Sequence, residues 1–382
     1  MKPIVYKTIF IACCLLAVLQ PESFSQRGRA RAEIKKLMQE YNAVGLSVAV
    51  VKNDKIVYTH AFGLKNIAQR QALKRNDIFR IASISKSFSA TAILQLVEAG
   101  KLSLDDDISH LVGFTVRNPA YPDVVITLRM VLSHTSSIND SQGYFKLDVI
   151  NPATNPGYAA CYSNYPPGGG YRYCNLNFNM AGAVIEKISG ERFDQYVVNH
   201  ILKPLRLYGG YCIDSLDTSL FATLYEYDSA TQKFTAAADA YNPRREEIRN
   251  YMPGYSTPVF SPTGGMKISA RDLAVYMQMH MNRGTYRGIQ IISEKSAQEM
   301  QTAVSEAQKY GLALLTTDTF IPGRQLTGHT GSAYGLYSAM FFSPEDKFGL
   351  VLITNGCDAA YTNGDITFLK AAAQVLYKNF IE

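Results

Sequence analysis

The spacing of apolar and polar positions changes along the chain, and each spacing predicts an element. Residues 29–43 (RARAEIKKLMQEYNA) set Ile34, Leu37, Met38 and Tyr41 at helical intervals, which predicts an amphipathic helix. GLSVAVVKNDKIVYTHAFGLKN follows, two β-rich runs about Asn53-Asp54, which reads as a hairpin. Near the other end SAMFFSPEDKFGLVLITN repeats that design around Ser343-Pro344-Glu345-Asp346, and a last amphipathic helix is predicted over 365–380. Elements from both termini therefore build one antiparallel sheet flanked by N- and C-terminal helices.

The middle of the chain has another texture. Residues 105–180 are rich in Asn, Pro, Gly, Ser and Tyr, and 213–260 look irregular. Within this region NFNMAGAVIEKISG reads as a helix closed by Gly190 in a left-handed cap. SPTGGMKISARDLAVYMQMHMN opens a helix with Ser269 and Asp272 spaced as a capping box. The fold class expected is α/β. An α/β lobe comes from about 26–82 and 262–382, with a helical, loop-rich lobe inserted at about 83–261, all one catalytic unit over 26–382. A cleft between such lobes is a natural ligand site.

The start MKPIVYKTIFIACCLLAVLQPESFSQ puts two lysines before an 11-residue apolar run, residues 9–19, with small residues at Ser23 and Ser25. A membrane span needs roughly 20 residues, so residues 1–25 are expected to be a cleaved signal peptide. No stable membrane anchor is then expected, and the location is periplasmic or secreted. Cys13 lies inside the run rather than at its end, which argues against a lipid-modified cysteine. Cleavage lowers the net charge from +6 to +5, with no basic stripe interleaved with aromatics, so nucleic acid is not an expected partner. The basic residues are scattered apart from Arg27, Arg29, Arg31 and the Arg244-Arg245 pair, and read as solvated.

Export also bears on Cys161, Cys174, Cys212 and Cys357, because an oxidising compartment permits disulfides. One disulfide and two unpaired thiols are expected. Cys161 with Cys174 would close a short loop worth about 3 kcal/mol, although sequence does not choose the pairing. No CxxC, HxH or HExxH pattern suggests a metal, and no cofactor is expected.

The candidate chemistry begins in IASISKSFSATAILQLVEAG, residues 81–100. Its helix is apolar nearly all round and hence buried. Ser83 and Lys86 fall on one face, one turn apart, near the positive end of the dipole. A serine becomes a nucleophile once a base takes its proton, and burial favours a neutral lysine that can do so. Alone, the pair is equally a capping serine beside a solvated lysine. PPGGGYRYCNLNFN adds Tyr173 and Asn175, which point the same way if the chain there is extended. GRQLTGHTGSAYGLYSAMFF adds His329, Thr330, Gly331 and Ser332 on a predicted strand, where Gly331 admits a close backbone. Several of the 25 tyrosines flank these stretches, and most are read as packing.

SxxK, then YxN, then a strand with HTG resembles the serine hydrolases that include class C β-lactamases and D,D-peptidases. The resemblance runs from about residue 35 to the C-terminus and includes ITLRMVLSHTSSI, SPTGGMKISARDLA and the terminal hairpin. It implies a β-lactamase/transpeptidase-like fold and an acyl-enzyme on Ser83. Lys86 and Tyr173 would exchange protons, with the base left open between them. Asn175 would bind the substrate amide and orient Lys86. His329, Thr330 and Gly331 would bind substrate, and the N–H groups of Ser83 and Ser332 would form the oxyanion hole. The substrate implied is a small molecule or peptide: a β-lactam, a D-amino-acid peptide or amide, or an ester.

The sequence departs from the β-lactamases where His329 replaces the lysine of KTG. A histidine titrates near 6.5, so carboxylate recognition by its cation is expected to weaken as pH rises from about 6 to 8. No GxSxG elbow supports an α/β-hydrolase, and no clustered histidines support a zinc enzyme. A non-hydrolysing penicillin-binding or scaffold protein of the same fold is the alternative. Retention of Ser83, Lys86 and Tyr173 together speaks for the hydrolase.

Overall fold

The structure, a computed structural model, describes the backbone of residues 20–382 and side chains from residue 25 onward. Of the signal expected over 1–25, residues 1–19 therefore lie outside the described residues. Helix α1 (Gln20–Glu40) begins earlier than the pattern over 29–43 predicts. Among the described residues no helix is long and apolar enough to cross a membrane.

The sheet is assembled from both ends of the chain. Strands β1 (Gly45–Lys52), β2 (Lys55–Asn66) and β3 (Gln71–Ala72) come from the first part. Strands β4 (Leu315–Thr317), β5 (Leu326–Ala333), β6 (Leu336–Ser343) and β7 (Phe348–Thr354) come from the last. Their order is β4-β5-β6-β7-β1-β2-β3, and each neighbouring pair is antiparallel. Both residues of the first hairpin turn, Asn53 (φ +50°) and Asp54 (φ +60°), are left-handed, as a two-residue turn matching strand twist requires.

Strand β1 is buried from Gly45 to Val51 because both sheet faces are covered. Leu46, Val48 and Val50 point toward α1 and α5 (Thr367–Phe380), joining Ile34, Leu369 and Leu376. Ala49 and Val51 point the other way, into the core that contains Met277 of α4 (Ala270–Met281). The side-chain period of two thus feeds two cores from one strand. Ser269 caps α4 by accepting the Asp272 N–H at 3.1 Å, as its spacing predicts.

That second core continues into the inserted region and holds α2 (Ser85–Glu98) and α3 (Asn175–Ser189). Gly190 closes α3 at φ +76°, the left-handed cap read from NFNMAGAVIEKISG. A short three-stranded sheet of Phe79–Arg80, Lys267–Ile268 and Gly209–Gly210 ties the start of α2 to the segment before α4.

Candidate active site

Ser83 lies in a single 3-10 turn, Ala82–Ile84, between the Phe79–Arg80 strand and α2, rather than within the helix that the pattern predicts. From Asp77 to Leu94 every residue is buried except Ser83, which keeps partial access to solvent. The turn is held against β5 and β6. Ile81 N–H donates to Met266 O at 3.0 Å, and Ser338 Oγ donates to Ile81 O at 2.9 Å. Ala82 is held at φ +46°, a conformation that costs a residue bearing a Cβ about 1–3 kcal/mol.

Gly331 makes this packing possible. A Cβ there would stand 2.3 Å from Ile81 O and 2.5 Å from Ser338 Oγ. The close approach read from the sequence exists toward the turn that carries Ser83. β4 pairs with β5 only as far as Gly328, so among the described residues the outer edge from His329 to Ala333 has no strand partner. Ser332 is exposed on that edge and Thr330 half-buried.

Lys86 is fully buried on α2. Its Nζ lies 3.2 Å from Ser83 Oγ, 2.9 Å from Asn175 Oδ1 and 3.0 Å from Thr263 O. Two of these neighbours can only accept a hydrogen bond, whereas a hydroxyl can also donate. A neutral amine fits them all: its two N–H groups reach Asn175 Oδ1 and Thr263 O, and its lone pair faces the Ser83 hydroxyl. Burial lowers the Lys86 pKa from 10.5 to about 7, with Asp140 and Cys174 opposing the fall.

Asn175 and Asp140 form the frame. Asn175 is the first residue of α3, and its Oδ1 also accepts from Thr263 Oγ1 at 2.8 Å. Asp140 Oδ2 accepts from Asn175 N at 2.8 Å and Nδ2 at 2.9 Å, while Oδ1 accepts from Leu176 N at 3.0 Å. A carboxylate from a distant loop thus takes the first orphan donors of α3 at its positive end. Asn175 therefore orients Lys86, the part of its expected role that the geometry contains.

Tyr173 offers its ring to Lys86, whose Nζ is 4.7 Å from the ring centroid. Burial of the phenol raises its pKa, with the Ser83 hydroxyl pulling against the rise and Tyr171 and Asp140 adding to it. The side chain keeps 36% of its surface exposed and stays open to a ligand. Beneath it His134 is fully buried, accepts the Cys174 N–H through Nδ1 at 3.1 Å, and packs 4.3 Å from the Tyr173 ring.

His329 departs from its expected role. Nδ1 bonds to the Thr330 carbonyl, which can only accept, so Nδ1 carries the proton. Nε2 then accepts from Tyr310 O–H at 3.2 Å. Burial, with Lys86 nearby, lowers its pKa to about 4. A pKa lowered this far runs against the imidazolium expected to meet a substrate carboxylate.

The disulfide expectation is also corrected. Cys161, Cys174, Cys212 and Cys357 are all free and buried. Cys161 Sγ donates to Val149 O at 3.3 Å and Cys174 Sγ to Asp140 Oδ1 at 3.2 Å, so each thiol has its own partner.

The structure gathers Ser83, Lys86, Tyr173 and Asn175 at one site beside the His329–Ser332 edge. Sequence reasoning missed Asp140, Thr263, His134 and Tyr310. His134 and Thr263 lie in ITLRMVLSHTSSI and SPTGGMKISARDLA, so position within those stretches was the available signal; for Asp140 and Tyr310 there was none.

Fold and site together place the chain in the serine hydrolase superfamily of the β-lactamase and penicillin-binding type. It belongs to the beta-lactamase family, whose model (Beta-lactamase) matches residues 30–374. Protein flp of Staphylococcus aureus (strain N315) is 23% identical over 329 residues, 83% of this chain and 61% of flp. The chain thus spans about three fifths of that curated relative. Penicillin-binding protein 4* of Bacillus subtilis (strain 168) is 28% identical over 169 residues, 41% of this chain and 36% of that protein. Among solved structures, the octameric penicillin-binding protein homologue from Pyrococcus abyssi matches with TM-score 0.71 and 26% identity, over 92% of this chain and 77% of that one. The D-amino acid amidase from Ochrobactrum anthropi SV3 matches with TM-score 0.70 and 19% identity, over 94% and 99%.

Proposed function

We propose that this chain hydrolyses an amide or ester through an acyl-enzyme on Ser83. The observation that carries the reading is the buried Lys86 amine, 3.2 Å from Ser83 Oγ and set by Asn175 and Thr263 in the orientation that leaves its lone pair to the hydroxyl. Lys86 takes the Ser83 proton as Oγ bonds to the substrate carbonyl carbon. The N–H groups of Ser83 and Ser332 receive the oxyanion, each donor contributing about 2.7–4 kcal/mol to the transition state. Tyr173 protonates the departing nitrogen or oxygen and recovers a proton from the Lys86 ammonium. Neutral Lys86 then takes a proton from water as the water oxygen bonds to the acyl carbon, and returns it to Ser83 Oγ as that oxygen departs. A raised phenol suits Tyr173 to the acid role and a lysine near 7 suits the base role.

The substrate class we favour is a D-amino-acid amide, peptide or ester ahead of a β-lactam. A neutral His329 supplies no cation of the KTG kind. A cavity of about 490 Å³ with Tyr334 on its wall offers apolar surface from Leu147, Met252, Pro258 and Val259, beside the charged Arg80, Lys146, Asp148, Arg244 and Glu247. It would take an apolar side chain or acyl group. Export to the periplasm or medium belongs to the same proposal. The test is turnover of D-phenylalanine amide, an aryl ester and benzylpenicillin by wild type and Ser83→Ala. The reading requires turnover of the first or second by wild type only. A Ser83→Ala protein that matches wild type on these substrates refutes it, as does a wild type that turns over none of them.

A further inference from the structure

The basic residues near the N-terminus, read from sequence as a solvated face, acquire distant company in the fold. Arg27 and Arg31 of α1 line a groove of about 880 Å³ together with Lys74, Arg75 and Arg271. β2 residues, Tyr58 and His60 among them, supply another wall, and Asp272 is its single acidic residue. The formal net charge of the whole chain is +6, so one groove carries a large share of it.

This placement is unfavourable without an anion. Arg27 and Arg31 stand four residues apart on one helix, a like-charge spacing that destabilises by about 0.2–0.5 kcal/mol. Among the described residues, Arg271 alone of the five forms an ion pair, 3.6 Å from Asp272. The field is felt by the groove's own wall. Burial lowers the His60 pKa to about 4, with Arg31, Arg75 and Lys35 adding to the effect. Tyr58 is 5% exposed, and burial raises its phenol pKa while a hydrogen bond to Arg31 and the charges of Arg31 and Arg27 work against the rise.

We infer that the groove between α1, β2 and the start of α4 is a binding site for a phosphate-bearing anion, separate from the hydrolytic site. Guanidinium forks match phosphate oxygens two at a time, and several converge here on one space. The charge balance, five cations against one carboxylate, suits a ligand of more than one negative charge. In the order β5-β6-β7-β1-β2 the groove strand is four steps from β5, the strand beside the Ser83 turn, roughly 19 Å at about 4.8 Å per step, and none of Ser83, Lys86, Tyr173 and Asn175 lines the groove. Occupancy of the groove therefore leaves Ser83 free.

The test titrates inorganic tripolyphosphate into the full chain at low ionic strength, beside Arg31→Ala/Arg75→Ala and the exposed control Arg249→Ala. Saturable binding to wild type and to the control, weakened at least tenfold in the double variant, is the expected result. All three side chains are exposed, so the variants keep the fold, and hydrolysis at Ser83 provides an independent check. No binding, or equal affinity in the double variant, overturns the proposal. Equal loss in Arg249→Ala also overturns it, because the attraction is then diffuse. A second arm measures cosedimentation with phosphatidylglycerol and phosphatidylcholine vesicles. Retention on the anionic vesicles alone, lost in the double variant and displaced by tripolyphosphate, supports the site and assigns the phosphate to a lipid headgroup. Tripolyphosphate binding without retention supports it with a free phosphate compound as the ligand.

Discussion

Lys86 Nζ faces Ser83 Oγ across 3.2 Å, and its other two hydrogen bonds go to oxygens that cannot donate. The pair is one turn apart in sequence but belongs to two elements, a strained 3-10 turn and the helix after it. The serine is presented to solvent while the lysine stays dry.

On the mechanism proposed above, acylation needs a neutral Lys86, so its protonation would set the acidic limb of the rate profile. With the lysine near 7, we predict that kcat/KM for a neutral ester rises with pH to a plateau above about 7. Below that midpoint it falls about tenfold per pH unit. Lys86→Arg, always protonated, should lose at least about a thousandfold. A rate independent of pH between 5 and 8 would exclude Lys86 as the base.

Asp140 opposes the fall in the Lys86 pKa and holds the start of α3. Asp140→Asn should therefore move the acidic limb to lower pH. It should also cost about 1.5–3 kcal/mol of stability, the worth of hydrogen bonds to a charged group. Urea unfolding and a pH–rate profile on the same sample check both parts. A limb that moves upward would contradict the assignment.

His329 stays neutral across the working range because its pKa is about 4. The ratio of kcat/KM for a carboxylate-bearing substrate to that for its neutral counterpart should be flat from pH 6 to 8. A fall across that interval would restore the imidazolium read from sequence.

Gly331 should not tolerate a side chain. Gly331→Ala drives a Cβ against Ile81 O and Ser338 Oγ, and the turn carrying Ser83 must yield. We expect a loss of about 100-fold or more in kcat, the scale of a lost oxyanion donor. Circular dichroism should show the fold retained, and a kcat within twofold of wild type would show that the contact does not set the site.

The sheet, its two hairpins and the helix caps were legible because each rests on local signals: Asn53-Asp54 for a turn, Ser269 and Asp272 for a cap, Gly190 for a stop. Ser83, Lys86, Tyr173 and Asn175 were legible because their spacing resembles a known pattern. Asp140 was not, since its partners lie 35 and 36 residues away and form only when the loop folds back on α3. The charge on His329 was not legible either. Residue type fixes an ordinary pKa, and only the fold, which packs His329 against Tyr310 and brings the Lys86 charge near, reveals the burial that lowers it. Free thiols likewise follow from where each sulfur points, which four positions in a sequence do not carry.

The central claim is a covalent bond to Ser83, and mass spectrometry tests it most directly. Wild type and Ser83→Ala would each be exposed briefly to an aryl ester, and to benzylpenicillin in parallel, then weighed intact and mapped by peptide. The account predicts an acyl adduct on the peptide bearing Ser83 in wild type and none in the variant. An adduct that persists in Ser83→Ala, or maps to another residue, would contradict it.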